Sequence, residues 1–149
     1  MRLDQFLYAV PKEHRGKIEY KMKITSDNDI RSWEYKLTSG TEILMTWSKV
    51  NQIHLWMMEH GTVVKRKFGL QKSLLTLDQL KELMDTTNLV LEQEGVAGAE
   101  RLAKKILPTR GAAYDRQYFV ELEQTVEVLE QVITKVDPLK YDFYYVSSW

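Results

Sequence analysis

Tyr118, Phe119, Leu122, Val126, Leu129, Ile133 and Val136 recur at steps of three and four residues. At about 100° per residue they fall along one side of a helix. Asp115 stands where an N-cap belongs and brings negative charge to the helix's positive end. Asp137-Pro138 ends the pattern. Glu121, Glu123, Glu127 and Glu130 make the opposite, wet side; as ligands for a metal they are the weaker reading, as a solvated face the stronger. A helix this long with one apolar stripe must bury the stripe against a second layer, and the rest of the chain shows what that layer is.

The second layer is written in alternation. Leu3 to Val10 is apolar on both alternating faces and stops at Pro11, which reads as a buried strand. From Lys17 to Thr25, Ile18, Tyr20, Met22 and Ile24 alternate with charged residues, a strand with one wet face. Ser26-Asp27-Asn28-Asp29 is turn chemistry, and Trp33, Tyr35 and Leu37 complete a hairpin closed by Thr38-Ser39-Gly40. Thr62 to Leu75, around the basic run Lys65-Arg66-Lys67, reads as a loose hairpin or loop leading into one strand, with the run itself solvated or touching an anion. Tyr141, Phe143 and Tyr145 alternate with Asp142, Tyr144 and Val146 in a final strand whose aromatic end at Trp149 should be tied into the sheet. Thr76-Leu77-Asp78-Gln79 matches a capping box at the head of a helix running to about Glu94. Ala99 to Leu107 makes a shorter helix ended by Pro108. The fold class is therefore α+β: a mainly antiparallel sheet with three to four helices packed on one face, built as a single domain over residues 1–149.

Between hairpin and capping box lies Trp47 to His60, which reads as a helix ended by Gly61. Trp47, Val50, Asn51, His54, Met57 and Met58 share one face on this reading, taken as the inward one. Asn51 and His54 inside the apolar stripe need hydrogen-bond partners, since an unpaired buried polar group costs about 1–3 kcal/mol. The expected partners are main-chain groups or residues from the ends of the chain, Asp4 on the first strand and Ser147-Ser148-Trp149 on the last being the best candidates. The other side carries Ile53 and Trp56, apolar where a surface helix should be polar, and these are expected at an interface. That face leads to the expectation of a homodimer or higher homo-oligomer.

Lysine plus arginine and aspartate plus glutamate number 21 each, so no overall attraction to bulk nucleic acid or an anionic membrane is expected. With no cysteine there is no disulfide, thiolate metal site or cysteine nucleophile. Residues 1–16 carry Arg2, Asp4, Lys12, Glu13 and Arg15 and do not read as a signal peptide. No apolar run approaches the roughly 20 residues of a membrane span, and a cytoplasmic location is expected. His14, His54 and His60 lack the spacing of a helical metal motif, so neither a metal nor a cofactor is expected. His60-Gly61-Thr62 has the shape of a phosphoesterase motif but no second copy. The loop Thr109-Arg110-Gly111 could offer a hydroxyl, a guanidinium and backbone N–H groups to a phosphate, although Asp115 opposes an anion at the helix tip itself.

The start Met1-Arg2-Leu3-Asp4-Gln5-Phe6-Leu7-Tyr8, the middle stretch from Trp47 to Trp56, Leu107-Pro108-Thr109 followed by Tyr114-Asp115-Arg116-Gln117-Tyr118-Phe119, and the close Tyr141 to Trp149 together resemble a family of small, mostly phage- and prophage-encoded proteins. The chain departs from that family at Arg2, where glycine is common, and in Arg110-Gly111-Ala112-Ala113, where an aromatic, glycine-containing insert is common. No established activity comes with the resemblance.

The expected ligand-binding set is Trp47, Lys49, Asn51, His54, Thr109, Arg110, Tyr114, Tyr118, Ser148 and Trp149. It is polar and aromatic and holds no nucleophile–base pair, which suits binding better than catalysis. Bases stack on Trp or Tyr at about 1–3 kcal/mol each, and Lys and Arg take phosphate. By analogy with small phage proteins, the resemblance implies an accessory protein, acting in the host cytoplasm against defence, that binds and sequesters a nucleotide-derived signal without cleaving it. The alternatives are a protein-binding inhibitor or adaptor acting on a host factor and, behind it, an enzyme acting on phosphoesters.

Overall fold

The computed structural model describes residues 3–14, 19–24, 31–36, 41–67, 69–110 and 113–149. The expected turn at Ser26-Asp27-Asn28-Asp29 and the stop at Thr38-Ser39-Gly40 lie outside them, as do Met1-Arg2. Among the described residues seven strands and four α-helices follow one another as β1 (Asp4–Pro11), β2 (Glu19–Ile24), β3 (Arg31–Lys36), β4 (Glu42–Ser48), α1 (Asn51–His60), β5 (Thr62–Lys67), β6 (Leu70–Leu75), α2 (Leu77–Leu91), α3 (Ala99–Ile106), α4 (Arg116–Lys135) and β7 (Tyr141–Ser148). Five strands form one antiparallel sheet in the order β4-β1-β7-β6-β5, and β2 pairs β3 as a separate antiparallel hairpin. The fold is α+β.

One cluster joins the inner face of the sheet to all four helices. Leu7, Trp47, Leu75, Phe143 and Tyr145 come from the strands; Ile53, Trp56, Met57, Leu80, Leu83, Ala103, Phe119, Leu122 and Leu129 from the helices. The opposite sheet face is buried too, through Tyr8, Val10, Leu70, Tyr144 and Val146. Burial on both faces is why β1 and β7 carry apolar residues at successive positions instead of alternating cleanly.

The helix signals hold in detail. Thr76 accepts from the Gln79 N–H at 3.1 Å while the Gln79 side chain takes the Thr76 N–H at 2.9 Å, a complete capping box. Asp115 accepts from the Tyr118 N–H at 3.2 Å at the head of α4. Of the two readings of Thr62 to Leu75 the hairpin holds, as two paired antiparallel strands, and the basic run lies on β5, the edge of the sheet, with all six β5 residues exposed. Basic side chains on an edge discourage further strand pairing.

The middle stretch is where structure and expectation part. Trp47 and Ser48 end strand β4, and α1 begins only at Asn51. A helical phase counted from Trp47 therefore crosses a strand–helix junction and comes out rotated. The buried face of α1 is Gln52, Ile53, Trp56 and Met57. Ile53 is fully buried and Trp56 is 4% exposed, so both are core residues and not interface residues. Trp56 also stacks on His60, ring centroids 3.9 Å apart. The apolar outer face that motivated a homo-oligomer is the inner face.

Candidate ligand-binding site

The junction between β4 and α1 is fixed by a residue far away in sequence. Gln5, fully buried on β1, accepts from the Val50 N–H at 2.9 Å and donates Nε2 to the Val50 carbonyl at 3.1 Å. Its amide thus pairs with one residue's main chain as a neighbouring strand would. The Lys49 N–H donates to the Leu3 carbonyl at 2.8 Å. Held from both sides, Lys49 adopts φ 58°, the left-handed region that an L-residue enters at a cost. Its side chain is exposed.

That junction forms one wall of a cleft of about 190 Å³. Lys49 and Gln52 stand on one side, Thr109 and Ala113 from the loop between α3 and α4 on another, and Asp115, Gln117, Tyr118 and Glu121 from the head of α4 opposite. Gln52 is 2% exposed and donates Nε2 to Glu121 Oε1 at 3.2 Å. Burial pushes the Glu121 carboxyl above its ordinary value, the Gln52 and Gln117 amides pull it back, and the Asp115 charge adds to the rise. Tyr118 donates its hydroxyl to the Leu107 carbonyl at 2.8 Å, and burial raises its phenol, so it serves as a wall and not as an acid. Two carboxylates face one ammonium across this lining. It favours a ligand that donates hydrogen bonds over a bare anion.

Of the ten residues expected at the site, Lys49, Thr109 and Tyr118 line this cleft. Tyr114 stands behind the loop, its hydroxyl accepting from the Thr109 N–H at 3.1 Å, with its ring 5.0 Å from that of Tyr118. Arg110 is exposed beside Thr109, and Asn51 is half-buried on the first turn of α1. The others lie elsewhere. Trp47 is in the core and donates its indole N–H to Thr125 Oγ1 at 3.0 Å. Ser148 pairs with Asp4 and Leu70 across the sheet, on the face away from the helices. His54 meets Tyr145, Nδ1 to Oη 2.8 Å, with the half-exposed Trp149 ring 5.9 Å away. The expected single set therefore divides: some members meet at the cleft, Trp47 and His54 belong with the interior between sheet and helices, Ser148 lies on the far sheet face and Trp149 is exposed.

That interior is a polar row across the sheet. Trp47, Gln5, Ser147, Gln71 and Arg66 stand in register on successive strands. Gln5 Nε2 also reaches Tyr145 Oη at 3.0 Å, Arg66 Nε donates to Gln71 Oε1 at 2.8 Å, and Gln71 Nε2 contacts Met58 Sδ at 2.9 Å. The head of α1 is tied to β1 by Gln5 on Val50 and the helix to β7 by Tyr145 on His54, whose ring also lies against Trp149.

Sequence reasoning missed Gln5, Gln52 and Glu121. Glu121 was grouped with the wet glutamates, yet Tyr118, Glu121 and Thr125 are spaced three and four apart, which sets it at the margin of the buried stripe. Gln5 was the signal to notice in β1, an amide in a run otherwise apolar after Asp4. Among the described residues no group of three or more His, Asp or Glu is placed to hold a metal ion, and no helix is long and apolar enough to cross a membrane. Compared with known proteins, the chain matches no family model, no curated protein and no solved structure.

Proposed function

We propose that this chain is a binding protein that holds a small nucleotide-derived molecule at the Lys49–Glu121 cleft without transforming it. The observation that carries the reading is the cleft itself: a buried amide, Gln52, oriented by Glu121, with Lys49 held at the rim in a strained backbone conformation. Its polar groups can orient a ligand, and the Tyr118 and Ala113 walls can cover one. The lining contains no histidine or cysteine to serve as a nucleophile or its imidazole base. At about 190 Å³ the cleft is smaller than the roughly 300–1,000 Å³ of sites that enclose drug-sized ligands. It therefore takes one ring system and leaves the rest of the ligand outside, near Lys49 and Arg110, which suit phosphate. The resemblance to phage-encoded proteins supplies the setting: sequestration of a host defence signal. An adaptor role loses the support of Ile53 and Trp56, which are buried, and keeps only that of the aromatic C-terminal strand.

The test is incubation with a panel of cyclic nucleotides and cyclic ADP-ribose isomers, removal of protein, heat release and chromatography. Depletion of one compound with its recovery unaltered is the expected result. No depletion of any compound refutes the function, and altered products on release replace it with an enzyme.

A further inference from the structure

The cleft's acceptors favour one part of a ligand over the others. A carboxylate offers about four acceptor positions. Gln52 Nε2 takes one on Glu121, and Gln117, one turn earlier on α4, also acts on the same carboxyl. Positions remain for incoming donors on a group that lines the cleft. Asp115 spends Oδ1 on the Tyr118 N–H as the cap of α4 and is exposed, whereas the half-buried Glu121 carboxylate is the one fixed in place by amides. Because Gln52 is buried and directed at Glu121, the carboxylate is held from behind and has little freedom to swing to water. The Gln117 side chain, exposed on the same lining, can supply a carbonyl acceptor or an N–H donor to whatever lies beside Glu121.

We infer, resting on the binding function above, that Glu121 is a specificity residue receiving a flat group with two adjacent N–H donors, the pattern of guanine's N1–H and N2–H₂ edge and of a guanidinium. Adenine fails this match, since its corresponding edge presents a ring acceptor, N1, where guanine presents a donor. Its ring nitrogen would face a carboxylate oxygen, lone pair against lone pair. Lys49 and Arg110 are then left for the phosphate, outside the acceptor-lined part of the cleft. The arrangement turns the excess of carboxylates, which would repel a buried phosphate, into the reading head for a base.

Titration calorimetry with cyclic GMP, cyclic AMP and agmatine tests this, on the wild-type chain and on Glu121→Gln. The two cyclic nucleotides carry the same phosphate and differ in the base; agmatine carries the guanidinium alone. A bidentate pair discriminates by about 1–3 kcal/mol, between roughly fivefold and a hundredfold. Cyclic GMP is expected to bind at least about fivefold more tightly than cyclic AMP, and Glu121→Gln to lose that difference. Agmatine binding without cyclic GMP binding assigns the same donor pattern to a guanidinium ligand and upholds the role of Glu121. A melting temperature for Glu121→Gln matching the wild type shows that lost selectivity is not lost folding, while the wild-type preference needs no variant at all. Cyclic AMP binding as tightly as cyclic GMP, or an unchanged preference in Glu121→Gln, overturns the inference and leaves the binding function standing. No binding of any of these probes overturns the inference, and the binding function falls with it only when the wider panel also shows no depletion.

Discussion

Gln5 and Val50 are joined by two hydrogen bonds across 45 residues of chain, one in each direction between a side-chain amide and a main-chain unit. The bond from Gln5 Nε2 to Tyr145 adds the last strand to the same point. Replacing Gln5 by leucine strands the Val50 N–H in the interior, while the Val50 carbonyl keeps the His54 N–H at 3.1 Å. The unsatisfied N–H costs about 1–3 kcal/mol, so Gln5→Leu should lower unfolding stability by at least about 1 kcal/mol. Urea denaturation measures this. A loss below half of that would mean that water reaches Val50.

His54 should make the protein acid-sensitive. Burial lowers its pKa from the usual 6.5. The unfolded chain then takes up the proton at a higher pH than the folded chain does, so the folded state gives up stability as pH falls below 6.5 toward the lowered value. Above 6.5 both states are neutral at this group and the contribution is level. His54→Gln, which keeps a polar group near Tyr145 and cannot titrate, should lose less stability than the wild type over the acid range. Parallel melting curves against pH for the two proteins would contradict the assignment.

Trp56→Ala distinguishes a core residue from an interface residue. Truncating a buried Trp costs about 3–5 kcal/mol, and Trp56 is 4% exposed. A marked fall in melting temperature is expected, with no change of mass by light scattering. The reverse pattern, an unchanged melt with a smaller assembly, would restore Trp56 to a surface.

Gly69 and Gly95 both have positive φ, 73° and 81°, but their surroundings differ. A Cβ on Gly69 would lie 2.5 Å from the Trp149 carbonyl oxygen, whereas one on Gly95 meets nothing within 4 Å. Gly95→Ala therefore carries only the left-handed backbone cost, about 1–2 kcal/mol. Gly69→Ala carries that cost and a backbone clash, and should be clearly the less stable of the two. Equal melts would show that the chain end shifts freely.

Most of the elements were legible because their signals are local. The alternation at Tyr141 to Val146, the Thr76 capping box and the Asp115 cap need only neighbouring residues. Strand β4 was not legible: Ile43 is 54% exposed while Trp47 is buried, so its edge position blurs the alternation. That one omission rotated α1 and exchanged the inner and outer roles of Ile53 and Asn51. For the site, Lys49, Thr109 and Tyr118 were legible as chemistry, but the division of the remaining residues between cleft and interior depends on register across the sheet. Glu121 was hidden by its company: nothing in a run of glutamates marks the one that a distant Gln52 will cover.

Strand β7 lies at the centre of the sheet, between β1 and β6, yet comes after the other four strands of that sheet in sequence. During synthesis the β4–β1 and β6–β5 pairs must wait without their common neighbour until residues 141–148 emerge. Until then β1 and β6 each present an open edge and an apolar face, the features that invite wrong pairing. The nascent chain is thus most exposed to aggregation just before residues 141–148 emerge, and this eight-residue strand acts as the keystone that closes both halves at once.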